Sequence, residues 1–191
     1  MRHFPRSPKL VSLRRELGAI TKDKNVGNHA AKIRALSQTH PNTIEVLNWQ
    51  SDLSMCTCGM YVFGFHDWSL YPKIAERGPF AGAEFINWLL YKKHLRPLQS
   101  EQFTLGSLIC YFDVLGQDVA WKHIGRALPG SRVESKWGTG LALRHAIWEV
   151  PDSYGHVLEC YAPISADHAQ QLFKLYLREE WHPSIWEDLL N

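Results

Sequence analysis

The chain has 191 residues, of which 45% are hydrophobic and 21% charged, enough apolar material for one substantial core and incompatible with a disordered chain. With histidine neutral the formal charge is +2, a balance that argues against nucleic acid as a partner. The longest apolar run falls far short of the ~20 residues that a membrane span requires, so none is expected.

Basic residues gather at the N-terminus (Arg2, Arg6, Lys9, Arg14, Arg15, Lys22 and Lys24), but no continuous apolar segment follows them. A secretory signal is therefore not expected, and the chain is assigned to the cytoplasm, where thiols stay reduced. Ser7 as a cap and Pro8 in the first turn open a helix that Gly18 should close. A second helix is expected over about residues 28–36, ended by His40-Pro41. Together they form a helical extension over residues 1–40, a preamble to a core over 41–165. Thr43-Ile-Glu-Val-Leu alternates as a strand does. Residues 51–65 read as a polar loop running into a buried helix that stops at Gly64. Residues 71–82 read as a loop, and 83–94 as a strongly apolar helix. From Gly106 the pattern changes to strands over 108–112, 119–127, 132–137 and 157–161, parted by Leu115-Gly-Gln-Asp, Pro129-Gly-Ser and Gly138-Thr-Gly. An amphipathic helix over 166–181 begins a C-terminal helical segment, 166–191. The layout predicts a single α+β domain with N-terminal helices packed on an antiparallel meander sheet.

Four cysteines are present. Cys110 and Cys160 lie in strand-like contexts, where cysteine serves as a small buried hydrophobe. Cys56 and Cys58 are one residue apart rather than two, and no second pair exists, so neither a metal nor another cofactor is expected. Cys58 directly precedes Gly-Met-Tyr-Val-Phe-Gly. A cysteine in the first turn of a helix meets unpaired amides that favour thiolate and could hold an oxyanion. A thiol nucleophile also needs a base. His123 is best placed, sharing one strand face with Val119, Trp121, Gly125 and Ala127; Gly125 should leave open space beside the ring. A third group must orient the imidazole. Ser135, Glu134 (expected on the opposite face) and His145 are the choices, and the residues do not decide among them.

A helix-starting cysteine, an antiparallel meander, a histidine on its second strand and a polar residue on its third resemble, in that order, the NlpC-like cysteine peptidases, a circularly permuted branch of the papain-type thiol hydrolases. Cys58-Gly-Met-Tyr-Val-Phe-Gly is similar to the family's nucleophile helix. Leu105-Gly-Ser-Leu-Ile-Cys-Tyr-Phe is similar to its first strand, and Lys122-His-Ile-Gly-Arg-Ala to the strand carrying the base. Arg132-Val-Glu-Ser-Lys-Trp-Gly falls where the family places its third catalytic position, with Ser135 best spaced. Ser135-Lys-Trp-Gly, His145 and Tyr154-Gly155 also resemble an uncharacterised bacterial branch of the superfamily. Thr57 stands where Asp or Asn is common, and Ser107 where Asp is usual. Cys56-Thr57 also resembles the family's Cys-Ser, so Cys56 is the alternative nucleophile; Cys58 sets the apolar run and Gly64 in better register.

The resemblance, over roughly residues 50–165, implies a papain-like core that hydrolyses an amide bond, commonly in peptidoglycan peptides. It implies Cys58 as nucleophile, His123 as base and Ser135 as the third residue. Lys136, His145 and Trp68 are expected to contact the substrate, a peptide or small amide. Without an export signal, a cell-wall substrate would call for a separate delivery route, such as a dedicated secretion system or lysis; a cytosolic amide, or a lipid-acyl transfer as in some relatives, is equally admissible. Two other readings stand beside this one. One is a catalytically silent binding or immunity-type module, with Trp68, Tyr71 and Trp137 lining a groove. The other is a metal hydrolase using His123, His145, His156 and Asp152, against which stands the lack of any short ligand pair.

Overall fold

The computed structural model describes residues 1–47, 56–99, 104–138 and 140–190. A short strand, β1 (Arg2–His3), precedes α1 (Pro8–Lys22), whose start is capped by the Ser7 side chain on the Leu10 amide. α1 runs through Gly18 instead of ending there. A Cβ at that position would overlap the Asp152 carboxylate, so the glycine permits close packing and does not mark a stop. α2 (His29–Leu36) follows as expected, and the alternating segment after it contributes β2 (Glu45–Val46). Then come α3 (Cys58–Phe63), α4 (Tyr71–Ala75), in a stretch that reads as loop from sequence, and α5 (Ala83–Tyr91). The second half holds β3 (Leu108–Leu115), β4 (Asp118–Leu128), β5 (Arg132–Lys136), β6 (Ala142–Ala146) and β7 (Val157–Tyr161), then α6 (Ala166–Glu180) and α7 (Glu187–Leu190).

The architecture is α+β; among the described residues seven strands form one antiparallel sheet ordered β1-β7-β3-β4-β5-β6-β2. β3 to β6 form a meander. β7 leaves it and returns to the far side of β3, pairing Leu108 with Tyr161 and Phe112 with Val157. β6, carrying His145, is not among the strands expected from sequence.

β3 reads as a continuous apolar run because both of its faces are buried. Leu108, Cys110 and Phe112 join one core with Ile124, Phe63, Phe85 and Phe173, covered by α3, α5 and α6. Ile109 and Tyr111 join a second core with Leu13, Leu17, Ile33, Val133 and Leu143, covered by α1 and α2. The N-terminal helices are therefore one of three layers, not a preamble. In the first core the rings of Phe65, Phe85 and Phe173 meet with centroids 5.0–6.2 Å apart, and burying each ring contributes on the order of 2 kcal/mol. Among the described residues no helix is long and apolar enough to cross a membrane.

Candidate active site

Local sequence fixes the start and end of α3. The Thr57 hydroxyl accepts the Met60 amide at 3.1 Å and donates to the Ala81 carbonyl at 3.0 Å. A Cβ on residue 59 would lie 2.5 Å from that same carbonyl, so glycine after Cys58 is what lets the 80–83 segment press on the helix start. Gly64, at φ 72°, supplies the left-handed residue that ends the helix. Tertiary contacts then hold α3 on the sheet: the Tyr61 hydroxyl donates to Glu134 at 2.8 Å, and Arg126 donates to the Val62 carbonyl.

β4 supplies the histidine. Tyr111 pairs with His123 and Phe112 with Trp121, so Lys122 is an extra residue that kinks β4 beside His123. The β4–β5 ladder ends at Arg126 and Glu134, before His123 is reached. Beyond that end the Ile124 amide is turned to the Cys58 sulfur, joining the amides of Gly59 and of Cys58 itself. Cys58 and His123 line one cavity of about 460 Å³, mainly apolar, with Phe80, Ala83, Trp121 and Tyr154 on its walls.

Both partners are electrically neutral near pH 7. Burial pushes the Cys58 thiol above its ordinary 9.0 despite the three amides and, after them, the nearby Lys136 charge. The expectation of an acidic thiol is thereby reversed, because dehydrating a buried anion costs more than a few dipoles return. Burial, reinforced by His145, holds the His123 imidazole well below 6.5. His123 is 1% exposed, with the Tyr154 ring stacked on it at 4.0 Å and an interplanar angle of 17°. Its Nε2 is buried and meets no hydrogen-bond partner among the described residues. The space expected beside the ring at Gly125 is filled: a Cβ there would run into Val133 and Ser135.

Ser135 is fully buried, but its hydrogen bonds go to His145 Nε2 (2.9 Å) and from Trp137 Nε1 (3.0 Å). His145 Nδ1 lies 2.9 Å from the Ala146 carbonyl, which makes Nδ1 the protonated nitrogen and Nε2 the acceptor of the Ser135 hydroxyl. Ser135 thus orients His145, not His123. His145 itself is 0% exposed and out of a substrate's reach. Lys136 is equally buried; its ammonium donates to the Gly138 carbonyl at 2.6 Å, and its charge acts on Cys56 and Cys58. It is placed to serve the thiols and not a substrate. Trp68 packs on Phe65, Tyr71 and Phe173, away from the cavity walls. Tyr71 belongs to the first core and Trp137 to the second, so Trp68, Tyr71 and Trp137 do not form one groove.

Cys56 also borders the cavity, but its thiol donates to the Thr57 carbonyl at 3.5 Å and burial pushes it to about 11. The converging amides favour Cys58 as nucleophile. Nothing in the sequence alone gives Tyr154 a role at the site; Gly155 beside it, at φ 96° and packed on the Phe112 carbonyl, is the available signal of a tightly built loop. His156 pairs with Asp113 at 3.1 Å, and among the described residues no group of three or more His, Cys, Asp or Glu side chains is gathered as metal ligands would be. No family model matches the chain, and neither a curated protein nor a solved structure matches it.

Proposed function

We propose that the protein is a cysteine hydrolase that cleaves an amide bond, with Cys58 as nucleophile and His123 as its base, on a papain-like core of the NlpC-like kind. The observation that carries this reading is the shared cavity, which Cys58, with a sulfur met by three amides, and His123 both line. Among the described residues no protein group partners His123 Nε2, which leaves that nitrogen uncommitted as a proton acceptor.

The neutral pair sets the mechanism. As the substrate carbonyl settles against Cys58, His123 takes the thiol proton while the sulfur attacks the carbonyl carbon. The Cys58, Gly59 and Ile124 amides, with the Lys136 charge behind them, favour the negative charge that develops. Collapse of the tetrahedral intermediate breaks the C–N bond, and protonated His123 gives its proton to the leaving amine. Water, deprotonated by His123, then hydrolyses the thioester and restores the thiol. The walls formed by Phe80, Ala83, Trp121 and Tyr154 favour an apolar group beside the scissile bond. The substrate class is a peptide or small amide, peptidoglycan peptides being the one the resemblance implies.

Iodoacetamide labelling tests the nucleophile: Cys58 should react faster than Cys110 and Cys160, and Cys58→Ala should remove both that labelling and any amidase activity. Equal, slow labelling of all four cysteines would end the proposal. One observation favours a second reading, a catalytically silent binding module on the same fold: the upward shift of the Cys58 thiol. An inactive parent protein whose partner binding survives Cys58→Ala would decide for that module.

A further inference from the structure

Among the described residues no hydrogen bond reaches His123 Nε2, and the Tyr154 ring stacks on the imidazole. The ring pressed on it, Tyr154, belongs to a turn over residues 151–155 within the longer connection between β6 and β7. That loop is anchored from outside the sheet. Arg14, in the middle of α1, is 3% exposed and donates through Nη2 to the Pro151 carbonyl at 3.2 Å and also to the Gly155 carbonyl, gripping both ends of the turn. Its guanidinium is itself held over the Phe4 ring at 4.3 Å. One turn further along α1, a Cβ at Gly18 would meet the Asp152 carboxylate at 2.2 Å and lie 3.8 Å from the Asp152 backbone nitrogen, so helix and loop touch there and a branched side chain would press on the loop. A buried arginine is expensive to desolvate. Here it supplies a donor to the Gly155 carbonyl and a second one to the Pro151 carbonyl, which also accepts the Tyr154 amide at 3.1 Å within the turn.

We propose that Arg14 is a positioning residue for His123, acting through the 151–155 loop and the Tyr154 ring, so that the N-terminal helix is part of the catalytic apparatus. The inference rests on the reading of His123 as the base. Clamping the loop does two things to that base: it fixes the ring plane and it keeps water off the imidazole. The groups facing His123 are Tyr111 from β3, His145 from β6, Tyr154 from the loop and Cys58 from α3 across the cavity, with Lys122 and Trp121 adjoining on its own strand. The charge named among them, that of Lys122, is turned to Asp113 at 3.7 Å, so hydration is the variable the loop controls.

Long-range ¹H–¹⁵N NMR of the histidine rings reads this directly, without substrate. The parent protein should keep His123 neutral through pH 6. In Arg14→Met, which releases the loop, and in Gly18→Val, which wedges it off α1 without changing any charge, His123 should titrate upward toward the ordinary 6.5. The His145 ring, held separately by Ser135 and Ala146, should keep its tautomer signature and report that the fold is intact. Titration of His123 in both variants supports the proposal. A folded variant of either kind with the parental His123 titration overturns it, and so does a shift confined to Arg14→Met, which would be a charge effect. Should Arg14→Met fail to fold, Gly18→Val alone decides. Because the readout needs no turnover, loss of the hydrolase reading through Cys58 labelling and loss of this one are separate results.

Discussion

Acid should destabilise this fold through His145 in a way that can be isolated. The ring is fully buried, and burial, only partly offset by the Ala146 backbone, pushes its pKa from 6.5 down to about 4. As the pH falls the unfolded chain binds this proton first, so the stability contributed by a neutral His145 is complete above 6.5 and drains away between 6.5 and about 4. Each tenfold difference in proton affinity between the unfolded and folded chain is worth about 1.4 kcal/mol, so the loss between pH 7 and pH 4.5 is about 2 to 3 kcal/mol from this one group. Carboxylates and His123 add their own acid dependence, so the comparison must be with His145→Gln, whose side-chain oxygen can still accept the Ser135 hydroxyl. Urea unfolding of both proteins at pH 7, 5.5 and 4.5 gives the stabilities. The parent should lose more than the variant on acidification, by the amount above. Parallel losses in the two proteins would show that His145 is not held neutral by burial, and the geometry of the Ser135–His145–Trp137 cluster would have to be abandoned as its cause.

Three further outcomes are expected. The rate of Cys58 alkylation should rise with pH along a titration centred above 9, because burial outweighs its amides, and Lys136→Met should move that titration higher still by removing the neighbouring charge; a midpoint below 9 would contradict the burial argument. Gly59→Ala should displace the start of α3 from the Ala81 carbonyl, lowering stability by about 1–3 kcal/mol and slowing Cys58 labelling, as read by thermal melting and mass spectrometry. Phe173→Ala, which removes the ring shared by Phe65, Tyr71, Phe85 and Tyr176, should cost about 3–5 kcal/mol in denaturant unfolding; a loss under 1 kcal/mol would mean that the cluster is not packed as described.

The segments legible in the sequence are those whose cause lies within a few residues. Thr57 and Gly64 bound α3 because a cap needs only the amide three positions ahead and a stop needs only a residue that tolerates positive φ. The strands around Pro129-Gly130 are legible for the same reason. β6 escapes, although the Gly138-Thr-Gly turn signal precedes it, because Ala142-Leu-Arg-His-Ala is made a strand by pairing with residues of β5 and β2. Gly18 misleads because its meaning lies with Asp152, far along the chain.

The sequence by itself determined the α+β class, the helix that begins at Cys58 and the strand that carries His123, since periodicity and capping are local. Only the tertiary structure decided that these two residues share a cavity, that Ser135 serves His145, that Lys136 stands behind the thiols and that α1 covers the second face of the sheet. It also decided the charge states. Whether a thiol or an imidazole is ionised depends on how much water surrounds it, and burial is set by distant chain segments that no local pattern encodes.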